Sequence, residues 1–180
     1  KSITVKNFRG IVSDEFYFDP QFNVIIGENA VGKTSLIEAI SVGLGGFVRG
    51  LSYKNGRSIR NEEVRIIKYR NKLRRASNSK IHIEAKINKE IYSWDRERIY
   101  GEEVNDLELY VSVRDLGRNL ALDAKKGRFT TLPLISYYGT GRLMRENDST
   151  FHPEKTTTRT DGYNKSLNPN SNYKTLIAWF

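Results

Sequence analysis

The stretch Gly27-Glu28-Asn29-Ala30-Val31-Gly32-Lys33-Thr34 sets two glycines five positions apart and follows the second with a lysine and a hydroxyl residue. That is the spacing of a phosphate-binding P-loop, and both flanks agree with it. The run Phe22-Asn23-Val24-Ile25-Ile26 predicts a strand leading into the turn. Beyond it, Leu36, Ile37, Ala39, Ile40 and Leu44 recur at helical spacing, with Gly45-Gly46 as the expected stop. A strand–loop–helix unit of this kind aims free backbone N–H groups and the positive end of a helix dipole at phosphate oxygens. Gly27 and Gly32 permit backbone angles and close approach that a side chain would block. Lys33 sets a flexible cation against the terminal phosphates, and the Thr34 hydroxyl can complete an octahedral Mg²⁺ shell. Ser35 can add a hydroxyl donor to the phosphate nearest the sugar. The expected ligand is ATP with Mg²⁺, cradled by Asn29, Ala30, Val31, Gly32, Lys33, Thr34 and Ser35, with Thr34 as the metal ligand.

Neighbouring residues narrow the P-loop class. The Asn-Lys-x-Asp base-reading motif of small GTPases is absent, since Asn71-Lys72 runs into Leu73-Arg74 and Asn164-Lys165 into Ser166-Leu167. Kinases of small acceptors remain open on spacing alone. Ahead of the loop stand Ile3-Thr4-Val5-Lys6-Asn7-Phe8-Arg9-Gly10-Ile11, then Phe16-Tyr17-Phe18. Ile3, Val5 and Phe8 read as a half-buried strand with Arg9 at its end, close to the loop. This order of Asn-Phe-Arg strand, second strand and Phe-Asn-x-Ile-x-Gly-x-Asn loop resembles the head of the SMC, RecF and RecN type of ABC ATPase. The resemblance implies that Arg9 reaches the nucleotide. It also implies an α/β P-loop NTPase fold of the ABC/SMC head type, here an N-terminal lobe with a mixed sheet and antiparallel β hairpins.

A second likeness lies further along, in Leu132-Pro133-Leu134-Ile135-Ser136-Tyr137-Tyr138-Gly139-Thr140-Gly141-Arg142-Leu143. It continues through Arg159, Gly162-Tyr163, Ser166-Leu167, Pro169, Ser171, Tyr173-Lys174 and Trp179-Phe180. This pattern is similar to the predicted ATP-binding proteins involved in virulence and to the PtuA ATPases of Septu and retron anti-phage systems. The resemblance implies further parts: a signature motif, a strand ending in Asp-Glu, and a switch histidine. Asp14-Glu15, Glu62-Glu63 and Glu102-Glu103 lack the apolar strand such a site needs. No catalytic residue is therefore assigned, and the chain is expected to be one lobe of a longer ATPase, binding ATP but hydrolysing it poorly alone. Related heads also carry a Gln after the strand expected at Pro133–Tyr138. The only glutamine is Gln21, leaving Thr140 or Arg142 as substitutes.

The whole of 1–180 reads as this lobe, divided into 2–50 (strands, P-loop and first helix), 51–131 and 132–180 (central strand, long loop and start of a helix). Within 51–131, residues 51–79 form a basic connection whose Val64, Ile67 and Leu73 predict a partly helical piece. Alternation of Ile81, Ile83, Ala85 and Ile87, then Asn88-Lys89, predicts a hairpin over 80–98, with His82 solvated beside Glu84 and Lys86. Leu109, Val113, Leu116 and Leu120 favour a helix over 105–126. Residues 144–171 read as a long loop. No internal repeat is evident.

With 38% apolar residues among 180, the chain can bury a sizeable core, and it shows neither a signal-peptide pattern nor an apolar run of the ~18 residues a membrane span needs. Absence of cysteine excludes disulfides and thiolate metal sites. A cytoplasmic location follows from the ATP reading alone. The net charge of +9 concentrates from Val64 to Ile83, where Arg65, Lys68, Arg70, Lys72, Arg74, Arg75 and Lys80 occur without an acidic residue. That stripe fits a solvated surface, a face for an acidic protein, or a nucleic-acid groove, and the family likeness favours DNA, with Arg70, Arg74 and Arg75 as contacts.

Three functions remain open. One is an ATPase lobe that dimerises on ATP with its C-terminal half and controls a DNA-directed anti-phage effector, such as a nuclease. Another is a DNA repair or chromosome-maintenance head. The third is a stand-alone nucleotide-binding or phosphotransferase module.

Overall fold

The computed structural model describes residues 1–51, 56–102, 107–140, 158–164 and 166–169. Its centre is an antiparallel sheet ordered β2-β1-β5-β6, formed by β1 (Ser2–Phe8), β2 (Ile11–Tyr17), β5 (Asn78–Ile87) and β6 (Glu90–Ile99). A helix, α1 (Lys33–Gly50), crosses one face, and a second, α2 (Val111–Lys125), packs against α1. Between them, β3 (Ile66–Tyr69) and β4 (Lys72–Arg75) make a separate two-stranded hairpin.

Alternation along β1 decides its orientation: Ile3 and Val5 point inward, opposite Ile83 and Ile81 of β5. Trp94 of β6 continues that inner face, and its indole N–H donates to the Gly43 carbonyl of α1 at 2.9 Å. Burying each such side chain contributes about 1.5–3 kcal/mol. The hairpin expected at 80–98 is β5 and β6, turning on Asn88 and Lys89, both with positive φ. Within it His82 is not simply solvated, because its Nδ1 lies 2.6 Å from Asp95 Oδ1 on the facing strand. Burial alone would raise the Asp95 pKa, but Lys80 and His82 hold it below the ordinary carboxylate value. The helix expected at 105–126 is present as a short 3-10 turn, Leu107–Tyr110, running into α2.

Several expectations are corrected. Gly45-Gly46 does not stop the first helix, which continues to Gly50. These glycines are contact points: a Cβ on Gly45 would lie 2.0 Å from the Arg57 carbonyl oxygen, and one on Gly46 2.9 Å from the Tyr110 ring. The helix is small-sided so that the 57–60 segment and α2 can approach it. Among the described residues of 51–79 there is no helix beyond a 3-10 turn at Asn61–Glu63; the basic part is the β3–β4 hairpin. β-Branched Ile66 and Ile67 favour the strand, and Arg70-Asn71, both left-handed, close a two-residue turn that twists with it.

The segments expected as strands at 22–26 and 133–138 belong to no strand, and among the described residues every strand pair is antiparallel. A strand needs neighbours on its ladder, and the described residues supply none here. Consequently Val24, Ile26 and Leu134 are exposed, Leu134 almost fully. The second segment is braced from below: Tyr163 OH donates to the Pro133 carbonyl, and the Tyr137 N–H donates to the Ser166 carbonyl at 2.8 Å. Most of the expected loop at 144–171 lies outside the described residues, whose remaining part includes a 3-10 turn at Asp161–Tyr163. No helix among the described residues is long and apolar enough to cross a membrane.

Candidate functional site

The glycine turn has the backbone its spacing requires. Gly32 caps α1 in the left-handed region at φ 109°, and Ala30 is left-handed at φ 66°. Gly27 packs under Val31, whose Cγ1 would sit 2.9 Å from an added Cβ. The first-turn N–H groups of any α-helix lack an intrahelical acceptor, and in this 18-residue helix no side chain caps them and no acidic residue occupies the first turn. The Leu36 N–H, returning to the Gly32 carbonyl at 3.0 Å, closes the first turn. Thr34 is exposed beside this positive helix end, and Lys33 and Ser35 are half-buried. Lys33 Nζ bends back over the loop, donating to the Gly27 and Glu28 carbonyls at 2.6 Å each. A phosphate chain fits such a cradle. It would meet the α1 N–H groups and the Lys33 ammonium, with the Thr34 hydroxyl free for a metal.

Arg9 lies at the β1–β2 turn with φ 49°, and its backbone N–H donates to the Glu63 carbonyl at 2.7 Å. Its guanidinium is ion-paired with Glu38, four residues beyond Thr34 on α1, and with Glu63 at 3.2 Å. Arg57 completes the cluster, 2.8 Å from Glu63 and 3.4 Å from Glu38, and its guanidinium lies over the Tyr137 ring at 5.7 Å. Burial alone would raise the Glu63 pKa; the Arg60 N–H, with Arg57 and Arg9, more than offsets it and leaves the carboxyl below its ordinary value. Burial, with the Glu38 charge, pushes the Tyr137 hydroxyl up. Glu62-Glu63 follows no strand, as its surroundings suggest, but Glu63 itself is fully buried in a 3-10 turn. Sequence reasoning missed this cluster. A signal existed in Glu38, which helical spacing puts on the same side of α1 as Thr34.

Of the substitutes for the missing glutamine, Thr140 is exposed and Arg142 lies outside the described residues. The basic stripe separates into two kinds of residue. Arg75 donates to the Glu62 and Val64 carbonyls at 3.0 and 2.8 Å, and Arg65 to the Gly10 carbonyl, so these two anchor the hairpin. Lys80 is paired with Asp95 at 2.9 Å. Arg70 and Arg74 are exposed and lie over the Tyr69 ring at 5.3 and 3.9 Å. No cluster of three or more His, Asp or Glu suited to a metal occurs among the described residues.

A glycine turn capping a helix, with a lysine on its first position, defines the P-loop class of nucleotide-binding α/β proteins. Within that class the chain belongs to the AAA domain family AAA_23, whose profile matches residues 2–178. Short stretches are also similar to curated proteins named DNA replication and repair protein RecF. That of Lactobacillus acidophilus is 53% identical over 38 residues, 21% of this chain and 10% of the relative. That of Listeria welshimeri is 50% identical over 40 residues, 22% and 11% of the two chains, and that of an Exiguobacterium strain 52% over 42 residues, 23% and 11%. The matched part spans about a tenth of the length of these relatives.

Proposed function

We propose that this chain is the ATP-binding lobe of an SMC/RecF-like ATPase that acts on DNA. ATP sits on Asn29, Ala30, Val31, Gly32, Lys33, Thr34 and Ser35, with Mg²⁺ on the Thr34 hydroxyl. The observation that carries the reading is the uncapped, acid-free start of α1 joined to a left-handed Gly32 and the Lys33 ammonium. When bound, the metal neutralises phosphate charge. The protein's own residues position the phosphates: the α1 N–H groups take their oxygens, and Lys33 leaves the Gly27 and Glu28 carbonyls for them. Arg9 would leave Glu38 and Glu63 for the nucleotide, while Arg57 keeps those carboxylates neutralised.

The exposed row Phe22, Val24 and Ile26, together with Leu134 and Tyr138, supports a complementary C-terminal half whose strands complete the sheet. Hydrolysis and ATP-dependent homodimerisation belong to that completed head, working in the cytoplasm. The RecF similarity favours DNA repair or chromosome maintenance. Control of an anti-phage effector such as a nuclease rests on the PtuA-like pattern at 132–180 alone. A fluorescent ATP analogue with Mg²⁺ tests the site: Lys33→Ala and Thr34→Ala abolish binding and Arg9→Ala weakens it. Equal affinity for all four proteins would refute the assignment.

A further inference from the structure

We propose that the β3–β4 hairpin grips the sugar-phosphate backbone of duplex DNA through Arg70, Lys72 and Arg74, on the face that carries Tyr69, a refinement that rests on the DNA-directed reading above. These three side chains are exposed, and among the described residues none of them has a hydrogen bond or an ion pair. From Arg65 to Arg75 the hairpin contains no acidic residue to neutralise them. The cations are presented, not merely present. Arg74 stacks on Tyr69 at 3.9 Å and Arg70 covers the same ring at 5.3 Å, an arrangement that restrains both guanidiniums while leaving their in-plane donors for a phosphate.

Arg70 also occupies a costly place. It sits at φ 45° at the hairpin tip, where Asn, Asp or Gly would relieve about 1 kcal/mol of backbone strain. Strain of this kind points to a role for the side chain. The hairpin's base is fixed to the body: the Arg65 N–H donates to the Asn7 carbonyl at 2.9 Å, and Arg75 holds the Glu62 and Val64 carbonyls. Lys72 and Arg74 share one face of β4, about 7 Å apart at the ordinary strand rise, so both can reach one stretch of backbone. With the Tyr69 ring already covered by arginines, the hairpin offers no free platform for unpaired bases, so the contact is with phosphates and independent of sequence.

The test measures binding of the full chain to a random-sequence DNA duplex by fluorescence anisotropy between about 50 and 200 mM salt. Duplex RNA and polyglutamate serve as competitors, and Mg²⁺-ATP binding is recorded on the same preparations. The Arg70→Ala, Arg74→Ala double variant loses about tenfold in affinity at the low-salt end, and its salt slope falls by about 2. Arg70→Lys, Arg74→Lys keeps the slope, and both variants bind nucleotide as the wild type does. Wild-type affinity and slope in the alanine variant would overturn the hairpin's role while leaving DNA binding intact. Absence of duplex DNA binding by the wild type, or stronger displacement by RNA or polyglutamate than by DNA, would overturn the proposal while the ATP measurement still judges the P-loop.

Discussion

β1 and the 22–26 segment are both short apolar stretches in the first thirty residues, yet Ile3 and Val5 are 2% and 0% exposed while Val24 and Ile26 are 63% and 88% exposed. The difference lies in their neighbours. β1 meets β2 through a tight turn at Arg9-Gly10 and meets β5 antiparallel, so its alternating side chains find α1 and Trp94 on one face. Phe22-Asn23-Val24-Ile25-Ile26 has the denser apolar composition of a strand covered on both faces, as parallel sheets require. Its partners must arrive by crossover connections, and none of the described residues supplies one. One part of the molecule is therefore paired on its ladder, and among the described residues the other is an unpaired edge on which the proposed complementary half would build.

Substitutions can break this contrast in order of expected effect. Gly45→Ala drives a Cβ to within 2.0 Å of the Arg57 carbonyl, in the packed half, and should cost over about 3 kcal/mol or prevent folding, as read by thermal melting. Glu63→Gln removes a buried carboxylate shared by Arg57 and Arg9 and should cost about 3 kcal/mol. Because the folded pKa of Glu63 is depressed, its contribution is present above the unfolded value and is lost as pH falls through the folded one. Wild-type stability should therefore decline below about pH 4, and Glu63→Gln should flatten that limb. A variant as acid-sensitive as the wild type would remove the cluster from the account. Val24→Ser with Ile26→Ser, on the unpartnered side, should change stability by less than about 0.5 kcal/mol. A large loss there would mean that the segment is already packed.

Much of this was legible in advance, for reasons the residues make plain. The P-loop, the β5–β6 hairpin and α2 carry local signals: fixed glycine spacing, strict alternation around Asn88-Lys89, and Leu or Val steps of three and four. What escaped was tertiary. Gly45-Gly46 looks like a helix stop until Arg57 and Tyr110 are found packed against it. Glu63 looks polar until Arg9 and Arg57, distant in sequence, close over it. Val64, Ile67 and Leu73 suggest a partly helical connection, but the left-handed Arg70-Asn71 turn, which only the structure reveals, folds it into a hairpin.

Calorimetric titration of the folded chain with ATP in the presence and absence of Mg²⁺ tests the central claim most directly. The account predicts saturable uptake of one ATP per chain, strengthened by Mg²⁺ and absent in Lys33→Ala. Well-folded wild-type protein that takes up no nucleoside triphosphate at millimolar concentration would contradict it.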